Sequence, residues 1–295
     1  MSLEKLDVAT LKKSGYMKQR QKDLFTIRLR MACGNVTSKQ LAGISRIAEK
    51  YGTGVLHLTL RQGIQIPNVN IHDLDAITKE LEENGTLPGS CGPRIRNITS
   101  CPGSKECNYG VIDTYELGYT LDKEFFGEDM PVKIKFGVTG CPNTCMHPQE
   151  NDIGVMGILK PAIYTEECTG CGTCTFICPE KAIVLKNDKA GILWDRCNLC
   201  GACVGACPSD LISEEWKGYK IFVGGKFGKH PLMGKELTQV KSSEEVVDIF
   251  RNIINWIKKN TKVGERFGAT LERVGFEKFK KEVIGYEHRT TIKGI

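Results

Sequence analysis

Two short stretches decide the architecture of this chain: residues 168–179 read CTGCGTCTFICP, and residues 197–208 read CNLCGACVGACP. Each stretch places four cysteines at the spacing C-x2-C-x2-C-x3-C and follows the last cysteine with a proline. Clustered cysteines of this kind are typical of metal sites in proteins of a reducing compartment, where structural disulfides are rare. The two stretches therefore predict a compact metal-binding unit within a chain of 295 residues.

Both stretches resemble the cysteine run of bacterial ferredoxins, in which three cysteines bind one 4Fe–4S cluster and the fourth binds the other. The resemblance implies one cluster on Cys168, Cys171, Cys174 and Cys207. It implies a second cluster on Cys197, Cys200, Cys203 and Cys178. Zinc is the structural alternative, because C-x2-C pairs also form zinc knuckles. Two tandem runs, each with a trailing proline, favour iron–sulfur clusters.

Strand-like segments flank this unit at residues 153–159 and 219–225. The unit is therefore predicted to be an insertion, after which the body of the protein resumes. The composition of the whole chain, 40% hydrophobic and 26% charged, excludes disordered and fibrous classes. No apolar run approaches the roughly 20 residues that a membrane helix needs. Residues 1–7 lack the apolar stretch of a signal peptide, so we expect a cytoplasmic protein.

Charge is distributed unevenly along the chain. The net charge is +6, but residues 162–213 carry −2 and the remainder carries +8. A basic body suits a small anion or nucleic acid, and no nucleic-acid-binding motif is present. Neither a GxGxxG loop nor a Walker sequence is present, so nucleotide, flavin and nicotinamide binding have no support.

Three body segments, residues 25–31, 56–61 and 132–136, alternate apolar and polar residues as β-strands do. The second segment places Leu56, Leu58 and Leu60 on the predicted core face. The polar faces repeatedly carry cations, namely Arg28, Arg30, Arg61, Lys133 and Lys135, and the pair Arg94 and Arg96 has the same spacing. An ordinary solvent-facing sheet gives this pattern too. An anion site beside a metal site is the alternative, because the third segment leads directly into the sequence GCPNTC at residues 140–145.

Helices are predicted around these strands at residues 38–51, 72–84 and 246–259. The first can begin from Thr37 or Ser38 as its cap. A capping box of Ser242 and Glu245 opens the last.

The remaining grouped cysteines, Cys101-x5-Cys107 and Cys141-x3-Cys145, resemble the signature of the siroheme-containing sulfite and nitrite reductases. Other segments match the same family over roughly residues 20–285: TLRQ at 59–62, Arg96-Asn97, Lys133-x-Lys135, GGKFGKHP at 224–231 and GERFG at 264–268. An inserted ferredoxin unit in so short a chain is most similar to the C subunits of anaerobic sulfite reductases and to small dissimilatory-type sulfite reductases.

The family resemblance implies an α+β fold, with a siroheme-reductase body of sheets and packed helices that carries the inserted ferredoxin domain. The expected segments are an N-terminal ferredoxin-reductase-like half domain without a cluster (residues 1–70), the first part of the siroheme and 4Fe–4S domain (71–160), the inserted ferredoxin domain (161–214) and the second part of the siroheme domain (215–295).

The same resemblance implies siroheme and a third 4Fe–4S cluster as cofactors. The cluster ligands would be Cys101, Cys107, Cys141 and Cys145, with Cys145 also binding the siroheme iron and Asn143 lying in the same loop. The residues implied to bind the substrate anion are Arg61, Arg96, Lys133 and Lys135. The residues expected near the siroheme carboxylates are Arg28, Arg30, Lys226, Lys229 and His230. His147 is interpreted as structural rather than as an iron ligand.

The predicted function is six-electron reduction of sulfite to sulfide, with electrons entering the ferredoxin domain from a ferredoxin or from flavin and iron–sulfur subunits. Nitrite reduction to ammonia, a non-catalytic electron-transfer protein and a siroheme-binding relative with altered chemistry stay open, since residues 108–114 have no assigned role. Because both the cation set and the cysteine set occur once in this chain, we expect a homodimer with shared sites or a subunit of a larger reductase. Neither nucleic acid nor membrane is an expected partner.

Overall fold

The computed structural model describes Leu3 and residues 7–285. Residues 1–2, 4–6 and 286–295, which belong to the first and last predicted segments, lie outside the described residues, as does most of the N-terminal stretch without a signal-peptide pattern. Two sheets, each with its own helices, form the body, and a cysteine-rich module projects from the second. Among the described helices, none has the length and apolar character needed to cross a membrane.

The N-terminal unit is an antiparallel sheet covered by helices. Its strands are β1 (Tyr16–Lys18), β2 (Leu24–Arg28), β3 (His57–Leu58) and β4 (Ile64–Asn70), in the order β1-β2-β4-β3. Its helices are α1 (Val8–Lys13), α2 (Ser38–Tyr51) and α3 (Leu74–Glu83). One buried core, which includes Ile27, Ile44 and Ile66, joins sheet and helices and extends to Leu81 at the end of α3.

The second unit begins with three parallel strands. They are β5 (Thr99–Ser100), β6 (Phe136–Thr139) and β7 (Ile153–Ile163), with α4 (Thr114–Phe125) between the first two. Lys133 and Lys135 precede β6, whereas Cys101 and Cys141 follow β5 and β6. The cations and the cysteines therefore lie towards opposite ends of these strands.

The cysteine-rich module (residues 164–211) connects β7 to β10 (Ile212–Val223). It contains the short helix α5 (Thr173–Ile177) and a hairpin of β8 (Ile183–Lys186) and β9 (Lys189–Ile192). The flanking strands pair antiparallel with Ile163 opposite Ile212, so the module leaves and rejoins the sheet at adjacent positions. This geometry is that of an insertion between two neighbouring strands.

The second sheet is completed by β11 (Lys235–Val240) and has the order β11-β10-β7-β6-β5. The remaining helices are α6 (Ser243–Asn260), α7 (Phe267–Val274) and α8 (Phe276–Ile284). They pack with α4 against the sheet in a second core, where the rings of Phe136 and Phe250 meet edge to face 4.9 Å apart.

These elements confirm the predicted α+β class. The helix predicted at residues 38–51 has those bounds, with Thr37 as its cap, and the capping box at Ser242 is present. The prediction for residues 56–61 is wrong in its core face, because Leu58 is 74% exposed and Leu60 is fully exposed. The chain pairs for only two residues there, His57–Leu58, and then turns over the surface, so strand alternation does not continue.

Candidate active site

A cleft on the body gathers cations from four separate parts of the chain. The cationic side chains that line it are Arg28, Arg61, Arg96, Lys133 and Lys135. His57, Thr59 and Asn97 complete its polar wall, and the exposed Leu60 lies at its rim. We call this site the basic cleft. The structure therefore brings together all four residues predicted to bind the substrate anion and one predicted to lie near siroheme.

Arg61 of the N-terminal unit forms hydrogen bonds to residues of the second unit. Its Nη2 donates to the carbonyl oxygens of Asn97 and Phe136, both at 2.9 Å, and its Nη1 donates to Asn151 Oδ1 at 2.9 Å. Its Nε is buried without a hydrogen-bond partner. Burial lowers the pKa of Arg61 to about 10, so the guanidinium stays charged at neutral pH. Three of its five N–H groups are therefore used within the protein, and the Nε–H is among those left for a ligand.

Arg28 and Arg96 meet at a buried sulfur. Arg28 Nη1 donates to Cys91 Sγ at 2.8 Å, and Arg96 Nη1 donates to the same atom at 3.1 Å. Arg96 also donates to the carbonyl oxygens of Ser90 and Gly92, while its Nε is buried without a partner. Cys91, which was left unassigned by the sequence pattern, therefore positions two guanidinium groups of the cleft.

The two lysines of the cleft are held close to other cations. Burial lowers the pKa of Lys135 to about 8, and the neighbouring Arg61 lowers it further. Partial burial and the charge of Arg266 also lower the pKa of Lys133. A lysine whose pKa is near neutrality can bind an anion when charged and can also release a proton to it.

Sequence reasoning missed the acid that balances these charges. Asp152 is fully buried and accepts two hydrogen bonds from Arg266 Nη2, at 2.8 and 3.0 Å, and one from the Lys135 backbone N–H at 3.0 Å. Arg266 lies in the GERFG segment, so its motif was visible, but its distance of 114 residues from Asp152 hid the pair. Asn151 was missed as well, and it accepts from Arg61 as described above.

Other predicted cations lie outside the basic cleft. Arg30, two residues beyond Arg28, instead donates through Nε to Asp122 Oδ2 at 3.0 Å and stacks over the Phe126 ring at 4.2 Å. Arg94 pairs with Asp129 at 2.9 Å. Lys226, Lys229 and His230 lie on the surface loop between β10 and β11, which Gly234 anchors by donating to the Gln149 carbonyl at 2.7 Å.

The first cysteine group follows the carboxyl ends of β5 and β6. The backbone N–H of Gly140 donates to Cys101 Sγ at 3.1 Å. Burial raises the pKa of Cys141, the Asn143 N–H opposes this by donating to the thiol, and the thiols of Cys101, Cys107 and Cys145 raise it further. The thiols of Cys101, Cys107 and Cys145 thus lie close enough to Cys141 to affect its charge. Cys145, Asn143 and His147 are exposed on the loop that leads back to β7.

Glycines allow the loops of this cysteine group to pack closely. A Cβ added to Gly140 would lie 2.8 Å from the Gly103 Cα, and one added to Gly110 would lie 2.3 Å from the Gly103 carbonyl carbon. Val111 N–H donates to the Gly140 carbonyl at 2.9 Å, and Asp113 caps α4. Residues 108–114 therefore have a structural role, which is to seat one cysteine loop against the other.

The eight module cysteines surround two small voids. One void is lined by Cys168, Cys171, Cys174 and Cys207, and the other by Cys178, Cys197, Cys200 and Cys203. These are the two groups that the ferredoxin resemblance implies. Within the described residues, no three metal-ligand side chains converge closely enough to hold a single ion. Thiolates spaced around a void fit a cubane, in which each thiolate binds a different iron.

The chain matches two known domain families. Residues 91–291 match the nitrite and sulphite reductase 4Fe-4S domain, and residues 17–84 match the nitrite/sulfite reductase ferredoxin-like half domain. The chain belongs to the nitrite and sulfite reductase family. This membership confirms the predicted family, and it assigns the cysteine loops at Cys101–Cys107 and Cys141–Cys145 to the 4Fe-4S domain.

Relatives within the nitrite and sulfite reductase family differ in length. The chain is 34% identical over 274 residues to a coenzyme F420-dependent sulfite reductase of Methanocaldococcus jannaschii, covering 91% of this chain and 44% of that protein. It is 23% identical over 272 residues to an assimilatory-type sulfite reductase of Nitratidesulfovibrio vulgaris, covering 92% of this chain and 97% of that protein. The chain thus spans less than half of the first relative and nearly all of the second.

A solved structure confirms the fold of this family member. The crystal structure of dissimilatory sulfite reductase I superimposes with a TM-score of 0.74 at 24% identity, covering 88% of this chain and 69% of that chain. The likeness extends over both units of the body, since it spans most of the described residues.

Proposed function

We propose that this protein is a siroheme-dependent sulfite reductase that converts sulfite to sulfide. The inserted module would act as a ferredoxin domain through which the electrons enter. The observation that carries the proposal is the basic cleft, where cations from remote segments converge with buried N–H groups left unpaired. Unpaired buried donors are costly, so they indicate a bound anion. A chain with many clustered cysteine ligands suits a reducing compartment, so we place the protein in the cytoplasm.

The side chains available as ligands suit the cofactors that this activity requires. Cys101, Cys107, Cys141 and Cys145 would hold the cluster next to siroheme, with Asn143 in the same loop, and the module would hold two more clusters. The cations proposed for the siroheme carboxylates are Arg28, Lys226, Lys229 and His230. Arg30 was predicted with them, but its guanidinium is paired with Asp122. These groups would supply electrons and an open iron site, which no side chain can supply.

The cleft residues would bind and protonate the substrate. Sulfite takes up six electrons and seven protons to become hydrosulfide and three waters, so proton supply is as necessary as charge. Arg61 and Arg96 each have a buried Nε–H without a protein acceptor, which could donate to an oxyanion. The arginine side chain stays charged during the reaction. Lys133 and Lys135, with lowered pKa values, are the proposed proton donors.

The active site is proposed to combine two chains. No cysteine lines the basic cleft among the described residues. Between Lys135 and Gly140 the extended chain covers roughly 16 Å, because a strand rises about 3.3 Å per residue. A second copy could bring its cysteine loops to the cleft, and a larger reductase could provide the same loops from another subunit.

An optical spectrum with iron and sulfide analysis of the anaerobically purified protein tests the cofactor proposal. We expect siroheme bands and about 13 iron atoms per chain, from three cubanes and one haem iron. About eight iron atoms without a tetrapyrrole would instead indicate an electron-transfer protein. Nitrite reduction uses the same cofactors, and the ratio of kcat/KM for sulfite and nitrite separates the two activities.

Mixed oligomers test the shared site. A Lys133→Met, Lys135→Met double variant and a Cys145→Ser variant would each be inactive alone. Refolding or co-expressing the two together should recover part of the activity, because one of the two sites in a mixed dimer is then intact. Mixed dimers that form but stay inactive would contradict shared sites.

A further inference from the structure

The two cysteine groups of the module lie at different depths relative to the body. We call Cys178, Cys197, Cys200 and Cys203 the inner group, and Cys168, Cys171, Cys174 and Cys207 the outer group. The inner group packs on β7, where Leu159 N–H donates to the Leu199 carbonyl at 2.8 Å. Leu199 and Cys197 share an apolar cluster with Met156, Trp216 and Phe222 of the body sheet.

Strand β7 passes the three cysteine sites in order. A Cβ added to Gly157 would lie 2.4 Å from the Gly140 carbonyl oxygen, next to Cys141. Two residues later, Leu159 bridges to Cys200 of the inner group. At the end of the strand, Ile163 lines the void of the outer group. The outer group is therefore the one farthest along β7 from the body cysteines.

Exposed apolar side chains lie beside the outer group. Phe176 is 90% exposed, and Ile177 beside it is 41% exposed, both on α5 directly after Cys174. Helix α5 packs against β8, where Leu185 is also exposed and lines the void of the outer group. We call Phe176, Ile177 and Leu185 the Phe176 face. Apolar side chains grouped in this way next to a functional site mark an interaction surface.

The segment that carries this face has a net charge opposite in sign to that of the body. The segment from 162 to 213 carries −2, whereas the rest of the chain carries +8. Its six exposed carboxylates, Glu166, Glu167, Glu180, Asp188, Asp195 and Asp210, outnumber its four exposed cations, Lys181, Lys186, Lys189 and Arg196. An apolar contact within an acidic surface attracts a partner with basic side chains around its own apolar patch.

We propose that the Phe176 face is the docking surface for the electron donor, a protein with basic side chains around its own apolar patch. This proposal rests on the proposed function in one respect, namely that the module takes in electrons. A second copy of this chain is the competing occupant, because its body is also basic, and the experiment separates the two by oligomeric state.

The test uses the holoprotein and, as the probe, an NADPH–ferredoxin reductase chosen for a basic surface patch. Phe176→Glu should weaken equilibrium binding of the probe at least about tenfold, the effect expected for a central contact residue. Val263→Glu is the matched control, because Val263 is 92% exposed on the body. This variant should bind the probe within about twofold of the wild-type affinity. Binding should weaken as salt is added.

Three results would overturn the proposal. They are absence of probe binding to the wild type, equal binding by Phe176→Glu and wild type, and a change of oligomeric state in Phe176→Glu. Equal iron content of the two proteins excludes a folding defect. Reduced methyl viologen replaces the donor in a separate assay, so failure of wild type to reduce sulfite there would contradict the proposed function while the binding result stands.

Discussion

In the cysteine-rich module all eight candidate ligands come from one stretch, residues 168–207, whereas the cations of the basic cleft come from four segments between Arg28 and Lys135. The module ligands are positioned by tight local turns. The cleft cations are positioned by long-range hydrogen bonds, such as those of Arg61 to Asn97, Phe136 and Asn151. The two sites therefore respond to different kinds of change: ligand loss should affect one cysteine group, and loss of a remote partner should affect the whole cleft.

The largest effect is expected from removing a module ligand. Cys207→Ser should lose about four iron atoms per chain, because Cys207 lines the void of the outer group. The inner group should keep its iron, since its four cysteines are untouched. Flavoprotein-driven sulfite reduction should fall to background, and iron analysis with a steady-state assay measures both effects.

Cys33→Ala is the control for that variant. Cys33 is buried, and a Cβ added to Gly118 would lie 2.3 Å from its sulfur, so it fills space between α4 and the N-terminal unit. The Cys33→Ala variant should retain all the iron of the wild-type protein. Loss of about eight iron atoms from Cys207→Ser would contradict independent iron binding by the inner group and indicate that the module folds as one cooperative unit.

The same contrast explains what could be predicted from sequence. The α2 and α6 caps and the proposed module ligands depend on neighbours within a few residues, so spacing alone could predict them. Arg28 and Arg30 have the same alternation, yet one reaches the cleft and the other pairs with Asp122, 92 residues away. Leu58 and Leu60 alternate as core residues do, yet they are exposed because the strand ends. Partners remote in sequence decided these cases, and no local pattern contains them.

Lys135→Met tests the charge of the cleft. The variant keeps most of the side-chain volume and loses the ammonium group, so kcat/KM for sulfite should fall on the order of 100-fold to 1000-fold, as for loss of one transition-state donor. Lys123→Met, an exposed lysine of α4, is the matched control and should behave as wild type. Unchanged kinetics in Lys135→Met would remove Lys135 from the substrate site.

Asp152→Asn tests the long-range support of the cleft. The substitution leaves the partly buried Arg266 beside Lys135 without its counter-charge, and losing one partner of a pair whose carboxylate is fully buried should lower the free energy of unfolding by about 3 kcal/mol. For a chain of this length the midpoint of thermal unfolding should fall by roughly 5 °C.

The control is Asp248→Asn, because the Asp248–Arg251 pair is exposed and contributes about 0–1 kcal/mol. Iron bound by the module should be unchanged in both variants. Equal unfolding midpoints for the two would show that Asp152 contributes no more than a surface carboxylate.

The smallest effect is a change in pH dependence. Lys135 is positive below its pKa of about 8 and neutral above it, so anion binding through this residue is present at neutral pH and is lost as the pH rises. Lys135→Arg keeps its charge across this range, because arginine is not deprotonated in proteins. The ratio of kcat/KM, wild type over Lys135→Arg, should therefore fall by up to about tenfold per pH unit above 8. The ratio cancels the ionisation of sulfite, which both enzymes share, and a ratio that is flat from pH 6 to about 10 would show that the charge of Lys135 does not control substrate binding.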